Sequence, residues 1–293
     1  MRLAPRARSY LPLAVAAGLA AFTVASITRY AYAQKLPPVG GDQTVQGPVG
    51  AIYVDDGGGK EGLPVVFLHS FAGDTSHWAS QLDHLRHERR ALAIDFRGHG
   101  KSAAPDNQDY RVESLVKDVE AALDKLAIKR FVLVGHSMGG AVAAKYAGAH
   151  QDRVAGLVLV AAPGKVPAEQ AQKVMATIEA DYDATMKQYM DKLLTGAQQN
   201  VRTQVLAQAA KLPKADSLAI MRALFADDPL VSIDRYAGPK LIIYTSSATE
   251  PNDLQNARPK IPHRELAGTS HWPQLDKPRE FDQVLDEFLA GLK

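Results

Sequence analysis

From residue 65 onward the chain alternates short apolar runs of strand length with longer stretches of helical period, and that alternation admits few folds. The runs lie at 65–69 (VVFLH), 91–95 (ALAID), 131–136 (FVLVGH), 154–161 (VAGLVLVA), 241–245 (LIIYT) and 263–266 (HREL). Helical stretches at 112–126, 140–149 and 279–292 are interleaved with them, and turn signals such as Gly98-His99-Gly100 and Pro163-Gly164 close the runs. Neighbouring strands joined through helices pair in parallel, because a parallel pair needs a crossover that a tight turn cannot supply. The expected fold class is therefore α/β, a mostly parallel twisted sheet flanked by helices. Between 163 and 229 the alternation stops, and the chain becomes rich in Ala, Gln, Lys, Met and Leu at helical spacing. We read this stretch as an all-helical cap inserted into a core of residues 50–162 and 230–293, since about 65 residues exceed what a βα connection needs. Met175, Tyr182, Met186, Tyr189 and Met190 are expected to pack within the cap, with a pocket-lining role as the sharper alternative.

The start of the chain has a different character. Arg2, Arg6 and Arg8 precede an uncharged apolar run at 11–27, and Ala31-Tyr32-Ala33 is a small-x-small site followed by Gln34. This is the pattern of a secretory signal peptide over residues 1–33, with an uncleaved inner-membrane anchor through 11–27 as the alternative. Cleavage after Ala33 implies a secreted or periplasmic protein without stable membrane insertion. Residues 34–49 (QKLPPVGGDQTVQGPV) are expected to be a linker. The formal charge of +2 comes from 34 basic and 32 acidic residues. Loss of the leader removes Arg2, Arg6, Arg8 and Arg29 and no acid, leaving 30 basic against 32 acidic residues. Such a balance offers no electrostatic footprint for nucleic acid. With no cysteine at all, disulfides, a thiolate nucleophile and cysteine zinc sites are excluded.

Chemistry concentrates at Gly135-His136-Ser137-Met138-Gly139, which follows Phe131-Val132-Leu133-Val134 and precedes Gly140-Ala141-Val142-Ala143-Ala144. A serine at a strand-to-helix junction needs small residues two before and two after it, because the turn is tight enough for a side chain there to meet backbone. The junction exposes Oγ and aims the Met138 amide, at the start of the next helix, toward an oxyanion on a substrate carbonyl. A serine hydroxyl is a weak nucleophile and needs a base. His271, in Gly268-Thr269-Ser270-His271-Trp272-Pro273 after the last strand, is the candidate; His77, His84, His87, His150 and His263 have no comparable setting. The loop that ends the first strong strand, His69-Ser70-Phe71-Ala72-Gly73, offers the Phe71 amide as a second oxyanion donor. Asp95, Arg97 and His99, in Asp95-Phe96-Arg97-Gly98-His99-Gly100-Lys101-Ser102, are expected to pin loops by hydrogen bonds.

These motifs resemble the α/β-hydrolase family, in its capped esterase, C–C hydrolase and haloperoxidase-like branch, from about Val65 to Leu292. The likeness rests on His69 to Gly73, Asp95 to Ser102, Gly135 to Gly139 and Gly268 to Pro278 (GTSHWPQLDKP). By that resemblance Ser137 attacks, His271 acts as base and then acid, and the Phe71 and Met138 amides stabilise the tetrahedral oxyanion. Serine rather than aspartate at the elbow argues against epoxide hydrolase and haloalkane dehalogenase chemistry. The departure lies in the triad acid. The family places Asp a few residues beyond the strand at 241–244, and the chain here reads Thr245-Ser246-Ser247-Ala248-Thr249-Glu250-Pro251-Asn252-Asp253, with Ala248 near the aligned position. Glu250 is the preferred acid, with Asp253, Asp228 and a dyad lacking an acid as the other readings.

The expected function is hydrolysis of a small or medium carboxylic ester through an acyl-enzyme on Ser137. Amide or C–C bond hydrolysis, acyl transfer and perhydrolysis use the same machinery, and a binding protein without turnover is the reading from another class. No metal or cofactor motif appears: Gly57, Gly58 and Gly59 are expected to form a hairpin turn, not a phosphate cradle. The expected partner is a small ester-type molecule, and nothing in the sequence sets an oligomeric state.

Overall fold

The structure, a computed structural model, describes residues 40–59, 61–246 and 251–292. The leader at 1–33 therefore lies outside the described residues. Eight strands form one sheet: β1 (Gly40–Gln46), β2 (Ala51–Gly58), β3 (Val65–Leu68), β4 (Arg90–Ile94), β5 (Phe131–His136), β6 (Val154–Val160), β7 (Lys240–Thr245) and β8 (His263–Leu266). Their order is β1-β2-β4-β3-β5-β6-β7-β8. β1 and β2 run antiparallel at one edge, and from β4 to β8 every pairing is parallel.

Helices cover both faces. On the chain they are α1 (Ala79–Arg86), α2 (Val112–Lys125), α3 (Met138–Ala149), α4 (Ala168–Ala180), α5 (Tyr182–Leu193), α6 (Gln199–Ala209), α7 (Lys214–Ala226), α8 (Pro229–Arg235), α9 (Leu254–Ala257), α10 (Pro273–Asp276) and α11 (Pro278–Ala290). A 3₁₀ turn, Thr75–Trp78, precedes α1. The central strands are buried on both faces, so they read as continuous apolar runs and not as alternating ones. Their period of two nevertheless sorts the core. Val66, Leu68, Leu133 and Leu157 pack with Val119 of α2 and Val142 of α3, whereas Val65, Phe67, Val132 and Val134 pack with Trp78, with Leu82 of α1 and with Phe281 and Leu285 of α11. Helices α4 to α7 form the all-helical insert between β6 and α8. Among the described residues no helix is long and apolar enough to cross a membrane.

Two sequence expectations change at the antiparallel edge. Residues 40–46 of the expected linker are strand, paired with β2 along their whole length. An edge strand takes its stability from main-chain pairing and leaves its outer side chains wet, so GGDQTVQ carries no apolar pattern to read. Gly57 and Gly58 likewise belong to β2, opposite Ala91 and Arg90, and do not form a hairpin turn. Gly58 adopts φ +103°, and a Cβ there would lie 2.9 Å from the Cα of Arg86. Glycine serves here for close approach of β2 to the end of α1.

Candidate active site

Ser137 sits between β5 and α3 at φ 51° and ψ −114°, a conformation L-residues rarely adopt. The local sequence permits it. A Cβ on Gly139 would lie 2.5 Å from the carbonyl oxygens of Leu68 and His69, and one on Gly135 would run into the Gly139 carbonyl. The same contact brings the end of β3, and with it the loop carrying Phe71, directly against the elbow. The Ser137 amide donates to the Val160 carbonyl at 2.9 Å, and its own carbonyl accepts from the Gly140 and Ala141 amides at 2.8 and 3.2 Å. The strained residue is thus held on both sides. Met138 is the first residue of α3, where main-chain N–H groups have no acceptor within the helix.

His271 lies in the loop after β8, at the same carboxyl edge of the sheet as Ser137. Its amide donates to the Leu193 carbonyl at the end of α5 (3.0 Å), and its carbonyl accepts from Nε2 of His136 (2.7 Å). The imidazole of His271 lies 5.0 Å, centroid to centroid, from that of His136, the residue preceding Ser137. Nε2 of His271 is buried without a hydrogen-bond partner, and burial pushes the ring down to about 4. Asp276 organises the loop: Oδ2 accepts from the amide of Ser270 (2.8 Å) and its hydroxyl (2.6 Å), and Oδ1 accepts from the Gln198 amide (3.1 Å). Trp272 adds a plug, buried among Met190, Leu194, Val201 and Val205 of the cap. The base candidate therefore hangs between core and cap.

The expected oxyanion loop turns at Ser70–Gly73, where the Gly73 amide donates to the Ser70 carbonyl (3.1 Å) and Ala72 has φ 54°. His69 fixes it. Its Nδ1–H donates to the Ser70 carbonyl at 2.8 Å and its Nε2 accepts from the Phe96 amide at 3.0 Å, so the ring is a buried neutral tautomer. The Phe71 side chain packs against the cap cluster of Ile178, Met186 and Met221, which Met175, Tyr182 and Tyr189 also join. In the neighbouring loop, Asp95 accepts from the amides of Thr75 (2.7 Å) and Lys101 (2.8 Å), and Arg97 donates to both oxygens of Asp118 at 2.5 and 2.7 Å. Nδ1–H of His99 donates to the Arg97 carbonyl (3.0 Å). These three residues pin loops.

Glu250 falls in residues 247–250, outside the described residues. Asp228 accepts from the Leu230 amide (3.1 Å) as the N-cap of α8, and Asp253 precedes α9 and bridges to Pro163. Among the described residues no carboxylate hydrogen-bonds the His271 ring. The strand β7 nonetheless delivers the chain beside the His271 loop, since the Ser246 hydroxyl accepts from the Gly268 amide at 3.4 Å. Residues absent from the sequence expectations also enter the site. His136, Gln274 and Asp276 stood inside quoted motifs without a role, and only their contacts reveal one.

Comparison with known proteins agrees with this architecture. A family model described as the alpha/beta hydrolase fold matches residues 64–278. The chain is 39% identical over 136 residues to the dihydrolipoyllysine-residue acetyltransferase component of an acetoin cleaving system from Pseudomonas putida; that match covers 46% of this chain and 36% of that protein's length. It is 27% identical over 275 residues to epoxide hydrolase 3 of Xenopus tropicalis, covering 81% of this chain and 74% of the relative. A solved structure of an N-acyl homoserine lactone degrading enzyme superposes with a TM-score of 0.75 at 24% identity, covering 84% of this chain and 100% of that one. Other relatives and fold neighbours include esterases, haloperoxidases and a phospholipase. With its sheet order, its strained serine turn and a family match from the first parallel strand to the start of the last helix, this chain belongs to the alpha/beta hydrolase fold family.

Proposed function

We propose that the protein is a serine hydrolase that cleaves a small or medium carboxylic ester through an acyl-enzyme on Ser137. The observation that carries this reading is the pairing of a serine held at φ 51° with a histidine loop tied to the residue beside it. In the proposed cycle, Ser137 Oγ attacks the ester carbonyl as Nε2 of His271 takes its proton. The amides of Phe71 and Met138 stabilise the oxyanion, and the imidazolium then protonates the departing alkoxide. Water, deprotonated by His271, releases the acid. Glu250 is the proposed carboxylate that fixes the His271 tautomer, since the chain leaves β7 beside the histidine loop. A serine at this position forms an acyl ester with a carbonyl substrate, which distinguishes the reading from epoxide opening by an aspartate. The apolar cap residues around Phe71 favour an apolar acyl group. Export with cleavage after Ala33 completes the proposal, and a mature N-terminus at Gln34 would support it.

The test is covalent labelling. A fluorophosphonate should modify Ser137 of the purified protein, and short p-nitrophenyl esters should be turned over. Ser137→Ala should lose both, with kcat/KM falling at least about 10³-fold. A protein that is neither labelled nor active on those esters would overturn the reading. Glu250→Gln should cost orders of magnitude in kcat/KM; near wild-type rates there, with a large loss in Asp253→Asn or Asp228→Asn, would move the acid elsewhere.

A further inference from the structure

His136 has no part in the proposed proton transfers, yet every polar atom of its ring is committed. The His271 carbonyl can only accept, so Nε2 of His136 carries the hydrogen that spans the 2.7 Å between them. Nδ1 is then a lone pair, and the side-chain amide of Gln274 donates to it at 3.1 Å. The ring is fully buried, edge-on to Trp78 at 6.4 Å and to Trp272 at 6.0 Å. Burial opposes its protonation most, joined by the rings of His271, His77 and His69, while the His271 carbonyl alone favours it. With the Gln274 amide donating to Nδ1, the ring is a neutral imidazole carrying its hydrogen on Nε2. The chain position gives that hydrogen bond its meaning: it runs from the residue beside Ser137 to the main chain of His271. The other main-chain bond of His271 goes to Leu193 in the cap.

We infer that His136, locked in one tautomer by Gln274, is a positioning residue that sets the placement of the His271 imidazole relative to Ser137 through its hydrogen bond to the His271 carbonyl. The inference rests on the Ser137–His271 reading proposed above. Proton transfer from Oγ depends steeply on the distance and tilt of the accepting ring. Without the bond, the peptide between His271 and Trp272 keeps no donor from the elbow, and the ring is free to rotate away from the serine.

The experiment compares wild type, His136→Phe, His136→Gln and Gln274→Leu. Each is titrated with a fluorophosphonate to count active sites, assayed on p-nitrophenyl butyrate across pH, and melted. In His136→Phe, kcat per titrated site should fall about 100-fold while KM moves less than about threefold. The acid limb of its kcat/KM profile should rise toward the ordinary histidine range as the loosened ring gains water. Glutamine can donate to the His271 carbonyl and accept from Gln274, so His136→Gln should recover to within about tenfold of wild type. Gln274→Leu frees the tautomer and should cost about tenfold in kcat. A wild-type kcat per site and an unmoved acid limb in His136→Phe overturn the inference, whatever its melting temperature. If that variant does not fold, the same two readings in Gln274→Leu decide. Absence of labelling and turnover in wild type would overturn the Ser137 reading and this inference together, whereas an active wild type with an indifferent His136 overturns the inference alone.

Discussion

At the scale of single residues, Ser137 combines two roles that conflict energetically. Its backbone at φ 51° exposes Oγ, and holding an L-residue there costs about 1–3 kcal/mol. Glycine reaches that φ without a Cβ clash but adds freedom to the unfolded chain. We therefore expect Ser137→Gly to be inactive and more stable by about 1 kcal/mol, a rise of about 2–3 °C in Tm. Ser137→Ala keeps the Cβ and should melt within about 1 °C of wild type. Scanning calorimetry on the two variants checks this, and equal melting temperatures would show that the surrounding hydrogen bonds, and not the φ angle, set the local energy. The elbow was readable in sequence because its constraint is chemical and local: glycines two residues either side of a serine, between a strand and a helix of small residues. His136 sits inside the same five residues and stayed unread, since a histidine reveals its tautomer only through partners more than a hundred positions away.

Among the elements, the cap is fastened to the core at points that also shape the site. Gln208, at the end of α6, donates to Oδ1 of Asp74 (2.9 Å) and to the Ser76 hydroxyl (2.6 Å), and its carbonyl oxygen accepts from the His77 ring. Those three partners lie in the turn that directly follows the Phe71 loop. Gln208→Leu would strand a buried imidazole nitrogen and take one donor from Asp74, whose Oδ1 still accepts from the Ser76 amide, at a cost of about 1–3 kcal/mol. The loss should appear as faster amide exchange in α6 and in the Thr75–Trp78 turn, with KM rising more than kcat falls. Unchanged exchange in both segments would mean that the apolar contacts of Phe71 and Trp272 hold the cap unaided. The parallel strands β3 to β6 were legible because burial on both faces demands nearly uninterrupted apolar residues, and β7 because Leu241-Ile242-Ile243 is apolar although the strand is only half-buried. β1 and β2 were not: an edge pair is specified by main-chain hydrogen bonds, and GGDQTVQ looks like a tether until its partner is known. The cap was legible as helical from its spacing, but the seat of Gln208 depends on a contact spanning more than a hundred residues that no local pattern encodes.

For the molecule as a whole, the buried histidines give stability a definite dependence on pH. His69, His77, His99, His136 and His271 all titrate below the ordinary value, chiefly because burial opposes their charged forms; His99 and His271 are each lowered to about 4. Between about 4 and the unfolded value near 6.5, the unfolded chain binds protons that the folded chain refuses, so stability falls as pH falls through that window. Each imidazole moved from 6.5 to about 4 costs about 2 kcal/mol on going from pH 7 to pH 5. Buried carboxylates act in the opposite direction. Asp95 is raised by burial to about 6, so the folded state takes up its proton first and gains about 1 kcal/mol over the same interval; Asp118 and Asp282 are also raised. His99 and His271 alone outweigh Asp95, and three further imidazoles stand behind them. Melting temperature should therefore decline steadily from pH 7 to pH 5, and His99→Gln should flatten part of that slope by removing one titrating group. A melting temperature that holds or rises on acidification would mean that the buried carboxylates, and not the imidazoles, dominate the proton balance of folding.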